Sequence, residues 1–223
     1  MAIAKRKKQR KVDVEFFDIA DIEPLTDNQS KAFSSNKNLI LCGSAGCGKS
    51  FLASYFGLMN ISRRRQKNIT IIRSAVPSRD MGFLPGNESE KSRIYEEPYI
   101  DIFSELLGRG DAYSILKSKN FLHFMTTSYL RGITLRNSYI IIDECQNASF
   151  SELNTIMTRV GKNCKIVFCG DFKQSDLKDN GMKKFLSILE KLKDEFDLIE
   201  FGTDDIVRSG LVKKYLIACE ESI

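Results

Sequence analysis

The segment from Gly43 to Ser50 carries the residue types that bind phosphate groups. Its letters, GSAGCGKS, fit the pattern GxxxxGK followed by serine or threonine. Glycines let backbone N–H groups approach a phosphate closely, Lys49 can neutralise the β- and γ-phosphates, and the Ser50 hydroxyl can bind Mg²⁺. A helical pattern follows at once, so the phosphates would face a helix N-terminus, which favours anions. The predicted nucleotide contacts are Gly43, Ser44, Ala45, Gly46, Cys47, Gly48, Lys49, Ser50 and Phe51.

Two carboxylates, Asp143 and Glu144, follow the apolar run at residues 139–142. Ligands of open α/β sheets bind at the carboxyl ends of buried parallel strands. Asp143 is therefore predicted to hold Mg²⁺, directly or through water, and Glu144 to polarise the water that attacks the γ-phosphate. A kinase would not need the second acid to activate water, so the pair favours hydrolysis. Taken alone, such a pair can also merely cap the next helix.

Two further polar residues can serve the γ-phosphate. Gln174 follows the apolar run at residues 166–169 and can hydrogen-bond the phosphate or its attacking water, although a simple turn is the alternative. Arg208 stands at the start of a C-terminal helix, where it can stabilise transition-state charge. By chemistry alone, an exposed ion pair with Asp204 or Asp205 is the favoured explanation for this arginine.

The elements that position these residues are visible as apolar runs that alternate with helical stretches. Nearly continuous runs rich in isoleucine and valine predict strands covered on both faces, and therefore a mostly parallel sheet between helices in an α/β domain. A long loop is expected at residues 74–92. The predicted strands are 38–42, 69–72, 121–125, 139–142, 166–169 and 198–201, and the predicted helices are 49–62, 92–107, 111–117, 150–160, 181–194 and 208–220.

The composition suits one well-filled core. A chain of 223 residues with 42% hydrophobic content excludes a disordered or fibrous protein. Six of its 34 lysines and arginines lie between Lys5 and Lys11, and the remainder has 28 basic and 29 acidic residues, a net charge of −1. We therefore expect a flexible basic arm at residues 1–11 and a folded domain at 12–223. The isoelectric point alone does not indicate nucleic-acid binding.

Hydropathy and cysteine usage indicate the compartment. No apolar stretch reaches about eighteen residues and no signal core follows the basic N-terminus, so neither a membrane nor a secreted protein is expected. Six cysteines without a CxxC pair and a single histidine, His123, offer no zinc site. Cysteines inside apolar runs are typical of a reducing compartment. The expected location is the cytoplasm, or the host cytoplasm if the protein is viral.

In this order the motifs resemble those of PhoH-like ATPases, relatives of the RecA-like domain of superfamily 1 helicases. The resemblance covers about residues 23–220. It departs at Ser44 and Cys47, where the family usually has proline and threonine, but these positions act mainly through their backbone. Besides the phosphate segment, the matching motifs lie at residues 24–29, 73–77, 81–86, 129–135, 143–147, 170–174 and 207–208.

The resemblance implies a RecA-like P-loop NTPase domain that binds ATP and Mg²⁺. It implies that Gln29 reads adenine and that Arg208 is catalytic, from its own subunit or from a neighbour. Arg73 and the loop at 82–86 would couple ATP to a partner. A ring-shaped homo-oligomer, a hexamer, that acts on RNA or single-stranded DNA is also implied.

Two classes of function stay open. The first is an ATPase that hydrolyses ATP through Lys49, Ser50, Asp143 and Glu144 and remodels nucleic acid. The alternative is a nucleotide-gated binding switch with slow hydrolysis and no strand unwinding. Turnover stimulated several-fold by RNA or DNA favours the first, and unstimulated turnover with ATP-dependent binding favours the second. A small-molecule kinase is disfavoured by the helicase-type motifs.

Overall fold

The computed structural model describes residues 5–6, 13–14, 17–74, 88–130, 132–172 and 181–221. The strands, in chain order, are β1 (Lys5–Arg6), β2 (Asp13–Val14), β3 (Phe17–Asp18), β4 (Ile22–Glu23), β5 (Asn38–Gly43), β6 (Asn68–Arg73), β7 (Leu122–Thr126), β8 (Ser138–Asp143), β9 (Lys165–Gly170) and β10 (Phe196–Phe201). The helices are α1 (Asp27–Ser34), α2 (Lys49–Ser62), α3 (Glu88–Leu107), α4 (Ala112–Ser118), α5 (Phe150–Arg159), α6 (Gly181–Glu190) and α7 (Gly210–Glu221).

Six strands form one parallel sheet in the order β10-β5-β9-β8-β6-β7. The phosphate segment follows β5 in the interior of this sheet, and the acidic pair ends β8, two strands away. Because all six strands run the same way, both motifs reach the same edge of the sheet. The expectation of a parallel α/β sheet is confirmed.

Alternate residues of each strand feed two separate cores, one on each face of the sheet. Leu39 and Leu41 pack with α2, α3 and α4, whereas Ile40 packs with α5 and α6. Strand β8 alternates in the same way, with Ile141 on the first face and Ile142 on the second. Burial on both faces explains why these strands read as continuous apolar runs.

One helix is missing from the sequence expectation, and the start of α3 and the end of α6 differ from it. Helix α1 is absent from the predicted set, because its eight residues DNQSKAFS carry little apolar periodicity and it depends on a cap from Thr26. Helix α3 begins at Glu88 within a segment predicted as loop, since its first residues are polar. Helix α6 ends at Glu190, and turns carry the chain to β10.

At the N-terminus, β1 pairs antiparallel with β4, and β2 pairs with β3. The rest of the predicted basic arm at 1–11 lies outside the described residues, as does the loop segment 82–86. Within the described part of the chain, no helix is both long enough and apolar enough to cross a bilayer.

Candidate nucleotide-binding site

The phosphate loop joins β5 to α2 through glycines in conformations that side chains rarely adopt. Gly46 and Gly48 have φ values of +89° and +82°. At Gly43 (φ +150°) a Cβ atom would lie 2.5 Å from the carbonyl oxygen of Phe201, so β10 approaches too closely for any side chain. Glycine is therefore needed here for both backbone freedom and close packing.

Lys49, the first residue of α2, folds back over this loop. Its Nζ donates hydrogen bonds to the carbonyl oxygens of Gly43 and Ser44, at 2.6 and 2.8 Å. The ammonium group is thus held at the mouth of the loop, beside the free N–H groups at the start of α2. A lysine at the first position of this helix can reach the β- and γ-phosphates of a nucleotide bound by the loop.

Asp143 is fixed by donors on three sides. Its Oδ1 accepts from the Ser50 hydroxyl at 2.9 Å and from the Glu144 backbone N–H at 3.0 Å. Its Oδ2 accepts from the hydroxyl of Tyr99, on α3, at 2.6 Å. Burial, and then the charge of Asp143, raise the pKa of Tyr99 well above its usual range, so Tyr99 remains a donor.

Glu144 adopts a left-handed backbone conformation, with φ +52°, which is unusual for a residue with a side chain. Its Oε2 accepts from Gln146 Nε2 at 2.7 Å, and its Oε1 lies 4.0 Å from Arg73 Nη2. The Oε1 of Gln146 in turn accepts from the Asp171 backbone N–H at 3.2 Å. Gln146 therefore connects the carboxylate of Glu144 to the end of β9.

These groups surround a cavity of about 400 Å³. Residues from α3 and Arg73 also line it. The sequence-predicted residues that line it are Ala45, Gly46, Gly48, Lys49, Ser50, Phe51, Asp143, Glu144 and Arg208. Gly43, Ser44 and Cys47 belong to the same loop without lining the cavity, and Gln174 lies outside the described residues.

Arg208 is held against the phosphate loop of its own chain. The backbone N–H of Val207 donates to the Gly46 carbonyl oxygen at 3.2 Å, and a Cβ atom on Gly46 would lie 2.7 Å from Arg208 Cγ. Asp205, one of its two predicted ion-pair partners, accepts at Oδ2 from Asn28 Nδ2 and from the Gly202 N–H, both at 2.8 Å. The turn before Arg208 thus joins α1 to the phosphate loop.

Gln29 is fully buried on α1 and does not line the cavity. Its Oε1 accepts from the Leu25 backbone N–H at 2.8 Å. Its Nε2 is buried and has no hydrogen-bond partner among the described residues. A buried amide nitrogen whose N–H donors have no acceptor is costly unless a ligand satisfies it, which fits a contact to a nucleobase.

The oxygen ligands present fit Mg²⁺, which binds proteins through one or two carboxylates and takes further ligands from phosphates and water. Ser50 and Asp143 supply a hydroxyl and a carboxylate 2.9 Å apart, beside the loop. Among the described residues there is no cluster of three or more acidic, histidine or cysteine side chains that could hold a metal without a nucleotide.

Sequence reasoning missed Tyr99 and assigned no role to Gln146. Tyr99 lies 44 residues before Asp143, in a helix without a motif, so no local pattern indicated the contact. Gln146 lies two residues after Glu144. Its side-chain amide can both donate and accept a hydrogen bond, and this property could have indicated its role from the sequence.

The parallel sheet, with a phosphate loop between β5 and α2, gives the chain the RecA-like P-loop NTPase fold. A family model of PhoH-like proteins matches residues 21–220, and the chain belongs to that family. It is 30% identical over 234 residues to the PhoH-like protein of Bacillus subtilis, covering 96% of this chain and 73% of that one. It is 29% identical over 192 residues to Protein PhoH of Escherichia coli K12, covering 84% and 54%. The chain thus spans between about half and three quarters of these relatives.

Among solved structures, the large terminase from a thermophilic bacteriophage resembles this chain with a TM-score of 0.52 and 15% sequence identity. The alignment covers 87% of this chain and 50% of the terminase. At this identity the likeness concerns the fold alone.

Proposed function

We propose that this protein is a Mg²⁺-dependent ATPase. The observation that carries the proposal is the convergence of Lys49, Ser50, Asp143 and Glu144 on one cavity beside the glycine loop. Family membership supports it, because the phosphate loop and acidic strand end lie in the matched region.

Each residue has a distinct part in hydrolysis. The loop N–H groups and Lys49 bind and neutralise the phosphates, while Ser50 and Asp143 are the residues that would hold Mg²⁺. Bound Mg²⁺ supplies charge neutralisation of the β- and γ-phosphate oxygens. Glu144 accepts a proton from the attacking water, and Gln146 orients its carboxylate for that step.

Arg208 is proposed to stabilise the charge that develops on the γ-phosphate. Its contact with Gly46 and its place in the cavity support action on the nucleotide of its own chain. Gln29 is proposed to read adenine through its free Nε2, and Gln174 to contact the γ-phosphate or its water.

Two substitutions test the site. Lys49→Ala should abolish turnover, because the positive charge that neutralises the phosphates is lost. Glu144→Gln should keep ATP binding and slow hydrolysis by about 10²-fold or more, because a neutral amide cannot accept the proton. Exposed Lys162→Ala and Glu190→Gln are the matched controls, with activity like the parent protein. Parent-like hydrolysis by both site variants would show that the assignment is wrong.

We further propose a ring-shaped homo-oligomer that acts on RNA or single-stranded DNA in the cytoplasm. Helix α7 supports assembly, since it follows Arg208, which lines the cavity, and its Leu211 and Tyr215 are 80% and 67% exposed. ATPase rates with and without RNA and single-stranded DNA, beside a mass measurement in solution, test both parts. Unstimulated turnover with ATP-dependent binding would instead identify the nucleotide-gated switch.

A further inference from the structure

A second polar cavity lies at the opposite edge of the sheet from the phosphate loop. It has a volume of about 170 Å³ and lies between the end of α1, the last turns of α2 and the starts of β5, β8 and β9. Helix α2 has 14 residues and runs from the phosphate loop to this cavity, so the two sites are about 20 Å apart. The nucleotide phosphates therefore cannot reach it.

Three cations line the cavity, namely Arg63, Arg65 and Lys165. In the described part of the chain, none of them forms an ion pair within 4.0 Å. Arg63 is explained by the negative end of α2, which it caps. The backbone N–H of Arg65 donates to the Asn60 carbonyl oxygen at the end of α2, at 2.9 Å, while its side chain lines the cavity with that of Lys165, which begins β9.

The environment of Lys165 disfavours its charge. Burial, and then repulsion from Arg65, lower the pKa of its ammonium group. The carboxylate of Asp197 raises the pKa of Lys165, but Asp197 forms its ion pair with Lys37, at 3.1 Å. Two neighbouring cations with no carboxylate within 4.0 Å among the described residues would be stabilised by an external anion.

Tyr139, one of the residues that line the cavity, also has a hydrogen-bonding group without a partner among the described residues. Tyr139, on β8, is fully buried, and the group is its hydroxyl. Burial raises the pKa of this hydroxyl well above its usual range, so it remains a donor. A buried donor without an acceptor is destabilising, and an anion in the cavity would satisfy it.

The small cavity adjoins a larger one of about 640 Å³. The two share Asn36, Asn60, Arg65 and Lys165. Gln66 lines the larger one, and its buried Oε1 also has no partner in the described residues. A compact anion can thus enter the inner part, while a polar remainder of the ligand would lie in the outer part, which Gln66, Asn163 and the carboxylate of Glu195 also line.

We propose that Arg65, Lys165 and the Tyr139 hydroxyl form a binding site for the phosphate group of a small ligand, either free phosphate or a phosphomonoester. A volume of about 170 Å³ is several times that of one water, at about 30 Å³ each, which suits a phosphate group. It has no room for a nucleic-acid strand, so the small ligand is favoured. The site is independent of ATP hydrolysis.

The test is calorimetric titration of inorganic phosphate, and separately of glycerol 3-phosphate, into the Lys49→Ala protein, in which the phosphate loop is weakened. Adding Arg65→Gln with Lys165→Gln should weaken binding at least about tenfold, since two charged hydrogen bonds are lost. The control pair, Arg64→Gln with Lys162→Gln, removes the same charge from neighbouring residues that line neither cavity and should bind like the Lys49→Ala protein. Tighter binding of one titrant over the other identifies the source of the phosphate.

Tyr139→Phe provides a second variant that preserves the core. It should weaken phosphate binding several-fold and raise the melting temperature without phosphate, because the unpaired hydroxyl is removed. If Lys49→Ala alone abolishes all phosphate binding, or if both charge pairs weaken it equally, the proposal is overturned while the ATPase proposal stands. It is also overturned if phosphate does not bind and the Arg65→Gln, Lys165→Gln pair instead weakens binding of a single-stranded oligonucleotide, which would identify a nucleic-acid surface.

Discussion

At the residue scale, the hydrogen bond from Tyr99 to Asp143 predicts a specific magnesium phenotype. Tyr99→Phe removes the donor on Oδ2 and leaves the carboxylate free to rotate away from Ser50. A hydrogen bond to a charged group contributes about 1.5–3 kcal/mol, so we expect half-maximal ATPase activity to need about tenfold more Mg²⁺. Magnesium titrations of the steady-state rate measure this shift.

The matched control is Tyr113→Phe. Tyr113 donates to the Glu96 carboxylate at the same 2.6 Å, but in the contact between α3 and α4, outside the nucleotide cavity. Its loss should lower stability and leave the magnesium requirement unchanged. An equal shift in both variants would show that Tyr99 acts through stability and not through Asp143.

The comparison of these residues shows which parts of the site a sequence can reveal. Lys49 and Ser50 are predictable because the residues of a phosphate loop are adjacent in the sequence. Asp143 and Glu144 are predictable because they come at the end of a parallel strand close to that loop. Tyr99 is not predictable, because its partner is 44 residues away and only the packing of α3 on the sheet joins them.

At the element scale, the start of α5 predicts a measurable stability effect. Ser149 caps the helix by accepting from the Glu152 backbone N–H at 3.3 Å, while Glu152 accepts from the Ser149 N–H at 2.8 Å. Ser149→Ala should lower the free energy of unfolding by about 1 kcal/mol, as measured by urea denaturation. Ser151→Ala, one residue into the helix and exposed, is the control.

The carboxylate of Glu152 makes the stability contributed by this helix cap depend on pH. Burial favours its neutral form, but hydrogen bonds from Thr127, Ser149 and Ser74 outweigh this and lower its pKa. A lowered folded-state pKa contributes stability above the unfolded-state value, and this is lost as pH falls through the folded-state value. The parent protein should therefore lose more stability than Glu152→Gln on acidification below the unfolded-state pKa, and parallel curves would contradict this.

The interior strands were the most predictable elements. Strands β5, β6, β8 and β9 show as apolar runs because both faces of the sheet are covered there, whereas the edge strands β7 and β10 are partly exposed. Helix α1 depends on a cap and on the contact of Asn28 with Asp205, across 177 residues, which no local pattern contains. Long-range contacts of this kind position Gln29 and Arg208.

At the scale of the whole molecule, the charge of the N-terminus predicts an accessory role in nucleic-acid binding. Deleting residues 1–11 removes six cations and leaves a body with a net charge of −1. We expect weaker binding of RNA or single-stranded DNA and a smaller slope of log affinity against log salt, with basal ATPase intact. Replacing the six basic residues by glutamine removes the charge and keeps the length of the segment, so it separates the two effects. Unchanged nucleic-acid binding would show that the arm serves only solubility.

The proposed ring raises the question of which subunit would supply Arg208. In an equimolar mixture of Lys49→Ala and Arg208→Ala proteins, random assembly would restore about a quarter of parental sites if the arginine acted on a neighbour's nucleotide. Because Val207 bonds to Gly46 and Arg208 lines the cavity of its own chain, we expect the mixture to show no more activity than its components. The ATPase rate of the reassembled mixture measures this, with mixed parental and Lys49→Ala subunits as the control for exchange. Restored turnover would place the arginine across a subunit interface.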